Sequence, residues 1–237
     1  MQALEDHPVA GCPDLRAHLR AAERVERLEK DARRLERRVR SRTESLARQF
    51  DRVLRILEAW GYVEGWSLTD AGQQLARIYH ECDLLVAECL RSELLDDLEP
   101  AAVAALASTF SYETRGPGPA PAASFPSAKL RRRWADLERI ARELNLAEDD
   151  AGLPMTRSPD PGFADLAHSW AAGDDLAEVI ADEEMSGGDF VRNVKQLIDL
   201  LRQLGDVAPE PATAKSARDA ADRLFRGVVA ASSVVGT

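Results

Sequence analysis

The segment FVRNVKQLIDLLRQL, residues 190–204, carries a row of hydrogen-bonding side chains along one side. Apolar residues recur in it at spacings of three and four, which predicts an amphipathic helix whose apolar stripe faces a core. The polar residues that share the opposite face are Arg192, Gln196, Asp199 and Gln203. Such a row of donors and acceptors could contact a partner that lies along the helix. A solvated face that binds nothing is the alternative interpretation.

A cluster of cations stands in KLRRRW, at the predicted start of another helix. Cations are unfavourable at a helix N-terminus because the backbone dipole is positive there. The placement therefore indicates either an anionic partner that relieves them or an ordinary surface turn. The residues are Lys129, Arg131, Arg132 and Arg133.

The sequence offers little that could catalyse a reaction. It contains no GxxxxGK[ST] phosphate loop and no DExH run, so we expect no ATP, Mg²⁺ or other cofactor in this chain. The histidines stand in no metal-ligating spacing with the cysteines, and we predict neither metal ligands nor catalytic residues. Cys82 and Cys89 lie on one helical face, which is typical of small buried hydrophobes.

The charge is distributed unevenly along the chain. A net charge of −10 argues against a surface that binds nucleic acid throughout. Residues 16–48 nevertheless carry 12 Lys or Arg against 6 Asp or Glu, whereas the remainder carries 19 against 35. A local basic element on an acidic body is compatible with a focused contact to nucleic acid. The Glu and Arg residues of this basic helix also alternate at spacings of three and four, which is typical of a solvated structural stalk.

Export and membrane signals are absent from the sequence. No apolar run approaches the roughly 18 residues of a membrane span, and the first residues lack a basic start followed by an apolar block. Three cysteines cannot build a disulfide framework, which favours a reducing compartment. We therefore expect a cytoplasmic protein without a membrane partner.

Helices joined by Gly- and Pro-rich turns account for most of the chain. The fold class that we predict is all-α: a helical bundle preceded by a long basic stalk helix and a small winged-helix-like β hairpin. The long helix covers 14–58, GYVEGWSLTD is the hairpin, and Thr69 or Asp70 caps a helix over 70–92. Later helices are predicted from Pro100, over 128–145, up to Gly173, over 175–182, from Ser186, and over 214–235.

Four segments follow one another in an order and spacing that are typical of one family: LEPAAVAALASTFSYE, FADLAHSWAAGDDLAEVI, GGDFVRNVKQLIDLLRQL and FRGVVAASS. The matching residues include Leu98, Pro100, Phe110, Glu113, Trp170, Gly173, Ile180, Gly188, Arg192, Lys195, Leu197, Arg202, Gln203, Arg226 and Ser233. Together they resemble the DSHCT domain, the C-terminal helical domain of superkiller-type and HelY-type DExH-box RNA helicases. HPVAGCPD and the basic helix resemble the end of the arch or stalk insertion in the HelY-type branch.

The resemblance implies three parts. Residues 1–45 would end an arch or stalk-like insertion, 46–97 would be a winged-helix-like end leading into the first bundle helix, and 98–237 would be a DSHCT-like bundle. In this family the bundle packs on two RecA-like ATPase domains and closes a ring around single-stranded RNA. We expect that helicase core to be a partner in cis or in trans and to bind the ATP and Mg²⁺. We expect this chain to be a C-terminal piece or a split relative of such a helicase that is inactive alone.

The resemblance also assigns a site, because it places the family's ratchet helix at 187–204. The predicted RNA contacts are Arg192, Asn193, Lys195, Gln196, Asp199 and Gln203, with Lys129, Arg131, Arg132 and Arg133 as possible secondary contacts. Arg192 would meet a phosphate or a base face, and Asn193 and Gln196 would meet base edges or sugar hydroxyls. Asp199 would accept from a 2′-hydroxyl or orient an arginine. Many relatives carry an arginine where Gln196 stands, a departure that removes a charge here.

Two other function classes fit parts of the sequence. GYVEGWSLTDAG also suggests a winged-helix DNA-binding regulator, although the segment that would read DNA lacks a basic cluster. A purely structural helical interaction module is the other alternative. Binding of duplex DNA would favour the first, and co-purification with a separately encoded ATPase core would favour the second.

Overall fold

The computed structural model describes residues 12–114, 123–181 and 185–234, with the backbone alone for 36–45 and 233–234. The chain forms two compact units, Met1–Arg52 and Val53–Thr237. Within the described ranges, no helix is both long and apolar enough to cross a membrane.

Helix α1 runs from Leu15 to Ala59, which confirms the long helix predicted over 14–58. The apolar side chains that it exposes in the first unit are Leu19, Val25, Leu28, Leu35, Leu46 and Phe50. Glu29 and Arg33 form a 3.6 Å ion pair one helical turn apart, as the alternation of charges predicts. The role of α1 as a stalk remains a prediction.

A two-stranded hairpin and two short helices follow. Strand β1 (Val63–Glu64) pairs antiparallel with β2 (Ser67–Leu68), and Gly65 makes the turn between them with a φ of +62°. Helix α2 covers Asp70–Leu75 and α3 covers Asp83–Arg91. The hydroxyl of Thr69 accepts the backbone N–H of Gly72 at 3.1 Å, so Thr69 is the predicted cap of α2.

The prediction of one continuous helix over 70–92 is wrong, because residues 76–82 form a turn. Ile78 is buried in the core from this turn. The Nδ1 atom of His80 accepts the backbone N–H of Cys82 at 3.1 Å, which replaces a helical bond. Burial of Ile78 thus outweighs the local helical propensity.

The remaining helices confirm the predicted bundle. They are α4 (Pro100–Ser111), α5 (Ala128–Asp150), α6 (Ala164–Ala172, preceded by a 3₁₀ turn at Pro161–Phe163), α7 (Leu176–Val179), α8 (Gly187–Val207), α9 (Pro211–Leu224) and α10 (Gly227–Val234). Helix α4 lies at the centre, where every residue from Ala101 to Phe110 is buried. Five of these ten residues are alanine, and their small side chains let α6, α8 and α9 pack closely against α4.

The prediction of a single last helix over 214–235 is also wrong, because the chain breaks between α9 and α10. The guanidinium of Arg226 lies 3.5 Å from the centroid of the Trp170 ring and donates to the Trp170 carbonyl at 2.8 Å. The indole N–H of Trp170 in turn donates to the carbonyl of Leu224 at 3.0 Å. These contacts, with Gly227 at a φ of +48°, turn the chain out of the helix.

Candidate nucleic-acid interface

Helix α8 carries the predicted site and is oriented by its apolar stripe. The hydroxyl of Ser186 accepts the backbone N–H of Asp189 at 3.1 Å, so Ser186 caps the helix as predicted. The stripe residues Phe190, Val194, Leu197, Ile198, Leu201 and Leu204 are buried. Burial of this stripe leaves the side chains of Arg192, Gln196 and Asp199 exposed.

An open groove of about 420 Å³ lies beside the first half of α8. The side chains that line it are Glu81, Ser111, Tyr112, Glu113, Arg157, Met185, Asp189, Arg192, Asn193 and Gln196. Three of the six predicted contacts, Arg192, Asn193 and Gln196, therefore share one concave surface. The groove also joins α8 to the C-terminal end of α4 and to the turn before α3.

Arg157 fixes one wall of the groove. Its guanidinium donates to the carbonyl of Phe110 and, at 2.8 Å, to that of Tyr112, at the end of α4 where helical carbonyls lack partners. It also pairs with Glu81 at 2.9 Å. Arg157 thus holds the loop that carries it, the end of α4 and the turn before α3 together.

The charged groups on the α8 side of the groove are paired with each other. The guanidinium of Arg192 contacts the Asp189 carboxylate at 2.6 Å, three residues earlier on the same helix. The amide nitrogen of Asn193 lies 3.9 Å from the sulfur of Met185. Arg192 is thereby held over the groove, and an anion that binds it shares its guanidinium with Asp189.

The other three predicted contacts do not line the groove. The side-chain oxygen of Gln203 accepts the backbone N–H of Tyr79 at 2.7 Å, so one of its polar groups already holds the turn before α3. Lys195 is half-buried, and Asp199 is exposed on the same face as Arg192. One end of the predicted row therefore lines the groove, and the residue at its other end, Gln203, binds the backbone of Tyr79.

The KLRRRW cations lie at the start of α5 and do not line the groove. Lys129 donates to the carbonyl of Asp97, Arg131 donates to that of Phe125 at 3.1 Å, and Arg133 donates to that of Asp96 at 3.3 Å. Arg132 is exposed. Backbone carbonyls thus occupy part of the donors for which the sequence suggested an anionic partner.

Two titratable groups next to Glu81 in the chain, His80 and Cys82, are kept neutral by burial. Burial raises the pKa of the Cys82 thiol to about 11, so this group stays a protonated thiol at neutral pH. Burial also lowers the pKa of His80, which keeps Nδ1 available as an acceptor for the Cys82 N–H. The prediction that Cys82 and Cys89 are buried hydrophobes is confirmed. Among the described side chains, no three His, Cys, Asp or Glu residues cluster as metal ligands.

Several groove residues were missed by reasoning from the sequence. Asp189 stands three residues before Arg192, a spacing that predicts the ion pair. Arg157 and Glu81 are 76 residues apart, so no local spacing reveals their contact. Tyr112 lies in the chain just past α4 and became part of the groove only through tertiary packing.

Comparison with known proteins places the chain in a family. The family model described as the DSHCT (NUC185) domain matches residues 65–232. Proteins described as probable helicase HelY are 39% identical over 97% of this chain in Mycobacterium tuberculosis and 40% identical over 96% in Mycobacterium leprae. The mRNA transport homolog 4 of Caenorhabditis elegans is 23% identical over 76% of this chain and 18% of its own length.

This chain spans only about a quarter of the HelY relatives, 27% and 26% of their lengths. The family match nevertheless includes β2, helices α2 to α9 and all the residues that line the groove. The chain belongs to the DSHCT domain family.

Proposed function

We propose that this chain is the C-terminal accessory domain of an ATP-dependent RNA helicase and guides single-stranded RNA past a motor formed by other domains. The family match and the similarity to HelY helicases support the helicase setting. The observation that carries the RNA role is the groove of about 420 Å³ beside Arg192, Asn193 and Gln196. A polar groove along a helix offers a strand a path on which no base sequence is read.

The charges of the groove define the kind of contact. Glu81, Glu113 and Asp189 oppose Arg157 and Arg192, so the lining is not a basic channel. Binding then depends on hydrogen bonds to sugars and base edges, with Arg192 as the residue that meets a phosphate or a base face. Such a surface holds a strand weakly, as a guide that must let the strand advance requires.

The same proposal extends to the rest of the chain. Residues 1–45 would end an arch or stalk insertion, 46–97 would be a winged-helix-like connection, and 98–237 would be the bundle with the ratchet-like helix α8. The RecA-like core, which binds ATP and Mg²⁺, would be the partner of this bundle. The chain alone would neither hydrolyse ATP nor unwind a duplex, since its sequence contains no phosphate loop and no DExH run.

Binding of a short fluorescent oligoadenylate, followed by anisotropy over a range of salt concentrations, tests the RNA role. We expect measurable binding with a shallow slope of log K against log salt, about −0.7 for each phosphate contacted. Arg192→Ala should weaken binding about tenfold or more, because a charge-assisted hydrogen bond is lost. Gln196→Ala should weaken binding less and leave the slope unchanged.

Arg139→Ala is the matched control. Arg139 is also an exposed helical arginine, and it approaches Asp136, three residues earlier, at 4.0 Å, yet it does not line the groove. Equal losses in Arg192→Ala and Arg139→Ala would mean that general charge explains the binding. A folded wild-type chain that does not bind single-stranded RNA would overturn the proposal.

The same binding assay, together with co-purification, separates the alternatives. Tighter binding of duplex DNA than of any single strand would favour a winged-helix regulator that uses the hairpin β1–β2. A folded chain that binds neither nucleic acid but co-purifies with a separately encoded ATPase core would favour a structural interaction module.

A further inference from the structure

Tyr79 is an exposed aromatic residue placed beside the polar face of α8. Its side chain is 81% exposed, although the residue before it, Ile78, is buried in the core. The backbone N–H of Tyr79 donates to the side-chain oxygen of Gln203 at 2.7 Å. Tyr79 therefore stands at the end of the row that begins with Arg192.

The short segment from Tyr79 to Glu81 connects the two ends of this row. Glu81 lines the groove together with Arg192 and Gln196, and Tyr79 is held by Gln203. Arg192 and Gln203 are eleven residues apart on one helix, which corresponds to about 17 Å along its axis. The groove and the tyrosine thus belong to one surface along α8.

The backbone beneath the ring is fixed. Ile78 anchors it in the core, and His80 bonds the N–H of Cys82 at 3.1 Å. Arg157 holds Glu81 at 2.9 Å. A ligand that covers the ring therefore need not order the main chain beneath it, which lowers the cost of binding.

We propose that Tyr79 is a stacking platform for one base of the single-stranded RNA that the α8 groove guides. This inference rests on the proposed function, to which it adds a contact of a different kind. The α8 face offers hydrogen bonds and one arginine, whereas an exposed ring offers a π-face, and every base can stack on it. Stacking holds a base without sequence preference, as a path for arbitrary RNA requires.

Three single substitutions test the platform against the groove. Tyr79→Phe keeps the ring, Tyr79→Leu keeps an apolar side chain without a π-face, and Arg192→Ala leaves the ring in place. We expect Tyr79→Phe to bind oligoadenylate as wild type does and Tyr79→Leu to bind about 5- to 150-fold more weakly. The salt slope should stay unchanged in Tyr79→Leu, because no phosphate contact is lost.

A scan with oligoadenylates that each lack one base gives an independent readout. In the wild type, removal of the base that stacks on Tyr79 should weaken binding, while Tyr79→Leu should show no further loss at that position. If Tyr79→Leu binds as tightly as wild type, or gives the wild-type scan, the platform is overturned while an effect of Arg192→Ala still supports the groove. If the folded wild type binds no RNA, the proposed function fails and the platform fails with it.

Discussion

At the scale of single residues, the buried carboxylate of Glu88 is held by hydrogen bonds from Tyr62 and Arg91. Glu88 is 5% exposed and accepts the hydroxyl of Tyr62 at 2.6 Å. It also accepts two bonds from the guanidinium of Arg91, at 3.0 and 2.6 Å. Burial, and then the bond to Glu88, raises the pKa of Tyr62, so its hydroxyl remains a donor throughout the neutral range. The cluster joins the residue before β1 to α3.

We expect Tyr62→Phe to lower the free energy of unfolding by about 1–3 kcal/mol, because a buried carboxylate loses one of its donors. Urea denaturation measures the change. Tyr79→Phe is the matched control, since that side chain is 81% exposed and its substitution should stay within about 0.5 kcal/mol of wild type. Equal effects of the two substitutions would contradict a stabilising role for the Glu88 cluster.

At the scale of elements, local patterns predicted where helices exist better than where they break. The apolar stripe of α8 and the caps Thr69 and Ser186 were readable because their signals lie within one or two turns. The break at 76–82 and the break after Leu224 were missed, because both result from tertiary contacts.

The candidate site divides in the same way. The side chains that α8 itself presents, such as Arg192 and Gln196, follow from helical spacing. Arg157 lies in a loop, and Tyr79 lies in a turn for which the sequence predicts helix. Only tertiary packing brings these two residues to the surface that α8 presents.

Arg157 connects three elements, because it binds its own loop to the end of α4 and to the turn before α3. Arg157→Gln should lower the free energy of unfolding by about 1–3 kcal/mol, because the carbonyls at the end of α4 lose a charged, partly buried donor. Arg157→Lys should recover only part of this loss, because an ammonium lacks the planar fork that reaches two carbonyls and a carboxylate.

Hydrogen exchange followed by mass spectrometry locates the effect of Arg157→Gln. Faster exchange should be confined to the end of α4, residues 152–160 and the turn at 76–82. Arg139→Gln, at a more exposed site on α5, should change neither stability nor exchange in these segments. Unchanged exchange at the end of α4 in Arg157→Gln would refute the assigned role.

At the scale of the whole molecule, the two units differ in how they are built. The continuous core of the described residues runs from Tyr62 to Val229, entirely within the second unit. A chain that begins at Val53 should therefore unfold cooperatively, with a thermal midpoint within about 4 °C of the full chain. A chain that begins at Glu81 lacks Tyr62, Val63 and Ile78 from the core and should lose that cooperativity. Loss of cooperative unfolding in the chain that begins at Val53 would contradict this division into two units.

The chain that begins at Val53 also decides what the basic helix does. The surface proposed for RNA, from Arg192 to Tyr79, lies wholly in the second unit, whereas the excess of cations lies in residues 16–48. If α8 and Tyr79 form the path, the shortened chain should bind oligoadenylate within about threefold of the full chain, with the same salt slope. A large loss of affinity together with a shallower slope would mean that phosphates bind the basic helix, which would then be an RNA contact rather than a stalk. Anisotropy of both chains over one salt series distinguishes the two results.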